Sequence, residues 1–243
     1  MTFPWMSLVL GLVAAAANIA GGWVVARGPW HPLYLRYFIA LGSGFMLAAS
    51  LLEMLPESYA LVGEQAAIWM LGGYLLIHFF EHTLSGHFHF GEETHAEQVA
   101  DTSRTRTVLF GLMIHTFVDG VSIASGFLIS NFLGWVVFLA VFLHKMPEGF
   151  TVSSIMIASG QSKRTALLSA ALLGCSTVAG VLIMAPLRSE VPYTLPLSAG
   201  VTLYVAASDL IPEVNREPGL RVTLTVFVGV LLMLALRWLF ELQ

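Results

Sequence analysis

Eight stretches of predominantly apolar residues, each twenty or more residues long, divide this chain at roughly 5–26, 34–57, 65–84, 105–128, 131–158, 165–187, 193–213 and 220–241. A helix needs about 20 apolar residues to cross the roughly 30 Å hydrocarbon core of a bilayer, so each stretch reads as a span. The fold class is therefore an all-α membrane protein with eight transmembrane helices. Only 11% of the 243 residues are charged, against about 25% in soluble domains. So few charges cannot clothe a water-facing surface, which excludes a soluble globular enzyme, a disordered chain and a disulfide scaffold. A net charge of −4 offers no basic footprint for nucleic acid. The first stretch is too long for a leader h-region and lacks a basic flank, so it too reads as a span. The single cysteine, Cys175, allows no internal disulfide and is expected to be a small buried apolar residue.

An even number of spans puts both termini on one side. Arg27, Arg36, Arg104, Arg106, Lys163, Arg164, Arg216 and Arg221 lie in or beside loops 1–2, 3–4, 5–6 and 7–8, whereas Arg188 and Arg237 lie on the opposite side. Positive charge concentrates in cytoplasmic loops. Those four loops are thus expected in the cytoplasm and both termini outside.

Two repeats run through the spans. Gly44 to Glu57 in span 2 and Gly200 to Glu213 in span 7 share a pattern at a constant offset of 156: glycine, eight residues, an acid (Glu53, Asp209), one residue, Leu or Ile, then Pro-Glu. Span 2 runs outward and span 7 inward, so the repeat is inverted across the membrane, as in many secondary transporters. The second repeat is a His-x3-acid-Gly motif. It occurs as His115 to Gly120 in span 4 and His144 to Gly149 in span 5.

Residues i and i+4 share one helix face. His115 lies over Asp119 and His144 over Glu148, so two facing helices would present two imidazoles and two carboxylates. That donor set suits zinc or a related first-row dication. An ionised group at mid-bilayer costs about 2.5–3.5 kcal/mol on insertion scales, and a divalent cation would compensate for Asp119 and Glu148. Pro147 lacks an N–H and is expected to kink span 5, freeing the Leu143 carbonyl beside His144. Gly120 and Gly149 permit close helix approach.

At these residues the chain resembles the ZIP (ZRT/IRT-like) family of divalent metal transporters, and the resemblance extends over all eight spans. It implies one transporter domain over residues 1–243, with the spans in an inverted-repeat bundle of three, two and three helices. It implies a principal metal site formed by His115, Asp119, His144 and Glu148, joined by Met46 from span 2, with Zn²⁺, or Cd²⁺, Fe²⁺ or Mn²⁺, as the transported substrate. It further implies import into the cytoplasm across the plasma membrane, homodimerisation, and an elevator-like cycle in which spans 1, 4, 5 and 6 move against spans 2, 3, 7 and 8. The chain departs from binuclear members of the family: Thr116, Lys145 and Thr177 stand where those have metal-ligating side chains. Lys145 is expected to replace a second cation and pair with Glu148 or Asp119, leaving a single-metal site.

Asp209, Glu53 and Glu57 are candidates for the exit and entrance of the pathway. Span 3 ends in His78, Glu81 and His82, and a histidine-rich cytoplasmic loop at 85–104 adds His87, His89 and His95. Histidine-rich tracts commonly bind metal, and these six residues are candidate cytosolic ligands. His78-Phe-Phe-Glu81-His82 also spells His-x-x-Glu-His, the signature of a zinc metalloprotease with Glu81 as its base. That alternative leaves the motifs of spans 4 and 5 unexplained.

Overall fold

The computed structural model describes residues 5–28, 32–84, 102–215 and 219–241. Among them are eight long helices and no strand. Helix α1 is Trp5–Arg27. Helix α2 comprises Pro32–Ala49, a π-helical turn at Ser50–Met54, and Leu55–Val62. Helices α3 to α6 are Gln65–Leu84, Thr102–Ile129, Asn131–Ala158 and Lys163–Ile183. Helix α7 comprises Val191–Tyr204, a π-helical turn at Val205–Leu210, and Ile211–Asn215. Helix α8 is Leu220–Glu241. Seven of these stretches are long and apolar enough to cross a membrane. Helix α3 falls short because His78, Glu81 and His82 occupy its last turns. The protein is a multi-pass membrane protein whose outer faces carry side chains such as Leu12, Ile68, Leu168, Phe227 and Leu231 outward.

The helices pack in groups. Helix α1 lies against α5 and α6, and α4 against α6 and α5; α2 pairs with α8, and α3 with α7. Between the groups, α2 crosses α5 and α7 crosses α4.

The inverted repeat has a structural counterpart. Both of its acids, Glu53 and Asp209, lie inside the two π turns. The proline three residues beyond each acid has no N–H to donate to the carbonyl four residues back, and its ring crowds that carbonyl. Widening the preceding turn relieves both effects, and π turns of this kind recur at functional sites. The glycines that open the repeats each seat a neighbouring backbone: a Cβ on Gly44 would overlap the Val226 carbonyl, and one on Gly200 the Met70 carbonyl. The first repeat also touches span 7 directly, with Ser50 Oγ donating at 2.8 Å to the carbonyl of Ala199, the residue before Gly200.

One sequence expectation meets a different outcome. Cys175 is exposed, not buried, because it lies on the outward face of α6. Helix α5 continues as one helix through Pro147, and a Cβ on Gly42 of α2 would lie 3.5 Å from the Leu143 carbonyl that the proline leaves free. The loop residues His87, His89 and His95 lie outside the described residues.

Candidate metal centre

The turn between α4 and α5 sets the register of the site. Ser130 alone separates the two helices, with extended backbone (φ −153°, ψ 155°), and its Oγ accepts the Leu133 N–H at 3.1 Å. His115 lies fifteen residues before Ser130 and His144 fourteen after it. At 1.5 Å per residue both sit about 21–23 Å from the turn, so the antiparallel hairpin brings the two motifs to one depth. Helix α6 backs this hairpin closely, since a Cβ on Gly120 would overlap the Thr177 carbonyl.

His115, Asp119, His144 and Glu148 are all buried, and one ligand atom from each lies within 4.8 Å of the others. The His115 and His144 ring centroids are 5.5 Å apart. Asp119 Oδ2 is the hub: His115 Nε2 stands 3.2 Å from it, His144 Nε2 3.3 Å, and Lys145 Nζ 2.5 Å. Lys145 Nζ also reaches Glu148 Oε2 at 2.7 Å. The lysine therefore pairs with both carboxylates, not with one.

The hydrogen bonds fix how His144 presents itself. Its Nδ1 lies 2.9 Å from the Ala140 carbonyl, which can only accept, so Nδ1 carries a proton. Its Nε2 faces Asp119 Oδ2 at 3.3 Å in hydrogen-bond geometry, a position in which a bound cation would stand between the two atoms. A metal-binding imidazole is commonly oriented by such a bond from its other nitrogen. His115 Nε2 approaches the same oxygen without hydrogen-bond geometry and has no such partner among the described residues. Two imidazole nitrogens converging on one carboxylate oxygen offer a cation three donor atoms at one point. Two carboxylates and one ammonium leave a net charge of −1, which one dication turns to +1 and two would drive to +3.

The other candidates are distributed as follows. Met46 is fully buried on α2, one turn beyond Gly42 and hence on the face that meets α5 at Leu143. Glu53 Oε1 lies 3.4 Å from Arg237 Nη1, tying α2 to α8. Glu57 is half-buried near the end of α2. Asp209 is buried, and the half-buried Glu81 of α3 has its carboxyl beside that of Asp209 and the Tyr204 hydroxyl. The His78 ring lies 4.1 Å from His82 and 5.9 Å from Tyr204. Thus the end of α3 meets the π turn of α7. Sequence reasoning missed Tyr204, whose only signal was its position five residues before Asp209. It also missed Tyr74, whose hydroxyl bonds Ser208 Oγ at 2.8 Å.

The profile of the family described as ZIP Zinc transporter matches residues 91–237, more than half of the chain. The chain belongs to the ZIP family. Similar proteins include zinc transporter ZIP13 of Pongo abelii, 25% identical over 78% of this chain and 61% of that protein. Zinc transporter zipt-7.1 of Caenorhabditis briggsae is 33% identical over 41% of this chain and 27% of its own length. Metal cation symporter ZIP14 of Mus musculus is 29% identical over 42% of this chain and 22% of its own length. This ZIP chain therefore spans between 22% and 61% of these relatives. Its paired motifs both fall within the stretch that the family profile matches.

Proposed function

We propose that this chain carries a divalent metal ion, zinc foremost, across the membrane into the cytoplasm through a single-metal site between α4 and α5. The observation that carries the reading is the buried set of two imidazoles and two carboxylates with ligand atoms within 4.8 Å of one another. The relatives' names, zinc transporter and metal cation symporter, agree with it. His115, Asp119, His144 and Glu148 serve as ligands, Met46 as a soft additional one, and Lys145 as the resident cation that the substrate displaces. Cd²⁺, Fe²⁺ and Mn²⁺ are further candidate substrates, since donor type narrows the choice without fixing it.

The ion leaves by way of Asp209 and Glu81 at the π turn of α7, with His78, His82 and the histidine-rich segment, including His87, His89 and His95, receiving it in the cytoplasm. Glu53 and Glu57 line the outer approach, where Arg237 competes for Glu53. The packing of α1, α4, α5 and α6 as one group supports their moving together against α2, α3, α7 and α8. The reading includes a homodimer in the plasma membrane with both termini outside.

The test is zinc uptake into proteoliposomes by the wild type, His144→Ala and Glu148→Gln. Uptake by the wild type and at least a tenfold loss in both variants, each still folded by circular dichroism, is expected. Undiminished uptake in either variant would remove the α4/α5 site from the pathway.

A further inference from the structure

Asn18 is completely buried near the middle of α1, and neither its Oδ1 nor its Nδ2 has a hydrogen-bond partner among the described residues. An amide buried without a hydrogen-bond partner is costly, so a side chain of this kind in a native core calls for an explanation. Ser7 is the other buried polar side chain of α1; the remaining inward residues are Leu10, Gly11, Ala14, Ala15, Gly21 and Gly22.

The neighbours of these small residues locate Asn18. A Cβ on Gly21 would meet the Met146 carbonyl and the Phe150 N–H of α5. One on Gly22 would lie 2.7 Å from the Ala170 Cβ of α6, and Ala15 meets α6 at Gly174. At 100° per residue, Asn18 falls between the flank that faces α5 and the flank that faces α6. Its own backbone rests on Gly149, where a Cβ would overlap the Asn18 carbonyl. Gly149 follows Glu148 directly and lies one turn beyond Lys145 on the same face of α5. Lys145 Nζ and Glu148 Oε2 meet within this turn of α5, which ends at the Gly149 on which Asn18 rests.

The donors and acceptors at this level are complementary. Lys145 Nζ has three protons, of which two go to Asp119 and Glu148. Glu148 Oε1 is buried with no hydrogen-bond partner among the described residues. A carboxamide offers an acceptor to the first and a donor to the second. A cation that takes the two carboxylates strips the ammonium of both its acceptors, and an unpaired ammonium cannot stay buried without another.

We propose that Asn18 is a positioning residue of the ion site, whose carboxamide oxygen accepts the Lys145 ammonium when an incoming cation takes Asp119 and Glu148. The inference rests on the reading of the α4/α5 cluster as the ion site. Asn18 thereby lets Lys145 give way to the substrate and return when it leaves.

The test is a double-mutant cycle on zinc affinity in the purified protein, combining Asn18→Leu with Lys145→Met. Asn18→Leu should weaken zinc binding at least tenfold in the wild-type background and less than threefold in the Lys145→Met background. The zinc-free unfolding temperature of Asn18→Leu should equal or exceed that of the wild type, because the change removes an orphaned polar group while keeping the number and branching of heavy atoms. Asn18→Ala is carried through the same cycle, so that poor folding of the leucine variant leaves the coupling measurable. Equal losses in both backgrounds, or unchanged affinity with a lowered unfolding temperature, would overturn the proposal and make Asn18 a packing residue. His144→Ala is measured alongside: if it leaves zinc binding intact, the site assignment itself has failed, which is a separate result from loss of the Asn18–Lys145 coupling.

Discussion

Replacing Lys145 by methionine tests the electrostatic logic of the site. Lys145 is completely buried and makes two charge-assisted bonds, at 2.5 and 2.7 Å. Each such bond contributes about 1.5–3 kcal/mol, and removing one partner of a buried pair costs about 3–5 kcal/mol because the remaining charge is left uncompensated. The zinc-free variant should therefore be markedly less stable than the wild type. Zinc binding should move the other way. A substrate ion that must replace at least one of the lysine's bonds gains about 1.5–3 kcal/mol when the lysine is absent, or about 10- to 140-fold in affinity. Transport should nonetheless slow, because conduction requires an ion bound weakly enough to leave. Isothermal titration gives the affinity, metal counting the stoichiometry, and proteoliposome uptake the rate. The expected pattern is tighter binding, a larger zinc-induced rise in unfolding temperature, and a lower maximal flux. Zinc affinity equal to or weaker than the wild type would refute the reasoning. So would a wild-type protein that binds two zinc ions tightly at this cluster.

Gly120→Val should destabilise the protein by about 1–3 kcal/mol or more through overpacking, because even its Cβ overlaps the Thr177 carbonyl; thermal unfolding without zinc measures this, and an unchanged midpoint would contradict the close α4–α6 crossing. Glu81→Gln should slow zinc release to the cytoplasmic side while leaving zinc affinity at the α4/α5 cluster within about threefold, less than 1 kcal/mol. Uptake and equilibrium binding on one preparation separate the two effects, and a tenfold loss of affinity at the cluster would show that Glu81 acts there directly.

The number of spans was readable from sequence because each must be long and apolar to lie in a bilayer. The four candidate ligands were readable because a helix repeats its face every fourth residue, and because polar residues are rare enough in a span to stand out. The length of the α4–α5 turn adds a further constraint, since one residue between two helices leaves them no choice but to double back. Lys145 was half readable: a lysine beside His144 announces a buried cation, but its simultaneous grip on Asp119 and Glu148 depends on how closely α4 approaches α5. The two π turns were not anticipated, although Pro56 and Pro212 mark them. A proline says that a carbonyl loses its partner; the neighbouring helices decide whether the turn bends or widens.

What the sequence by itself determined was the set of spans, the inverted repeat and the identity of the groups available to hold a cation. Tertiary structure decided which faces turn inward. In water an amphipathic stripe marks the buried side of a helix, but in a bilayer the lipid and the protein interior are both apolar, so that stripe disappears. Helix α1 is apolar and small-residue-rich around much of its circumference, and only its packing against α5 and α6 shows that Asn18 points in. Helix α6 is similar, and only its packing shows that Cys175 points out. Close backbone contact at glycine, rather than hydrophobic pattern, selects the inward face, and that contact exists only once the helices are assembled.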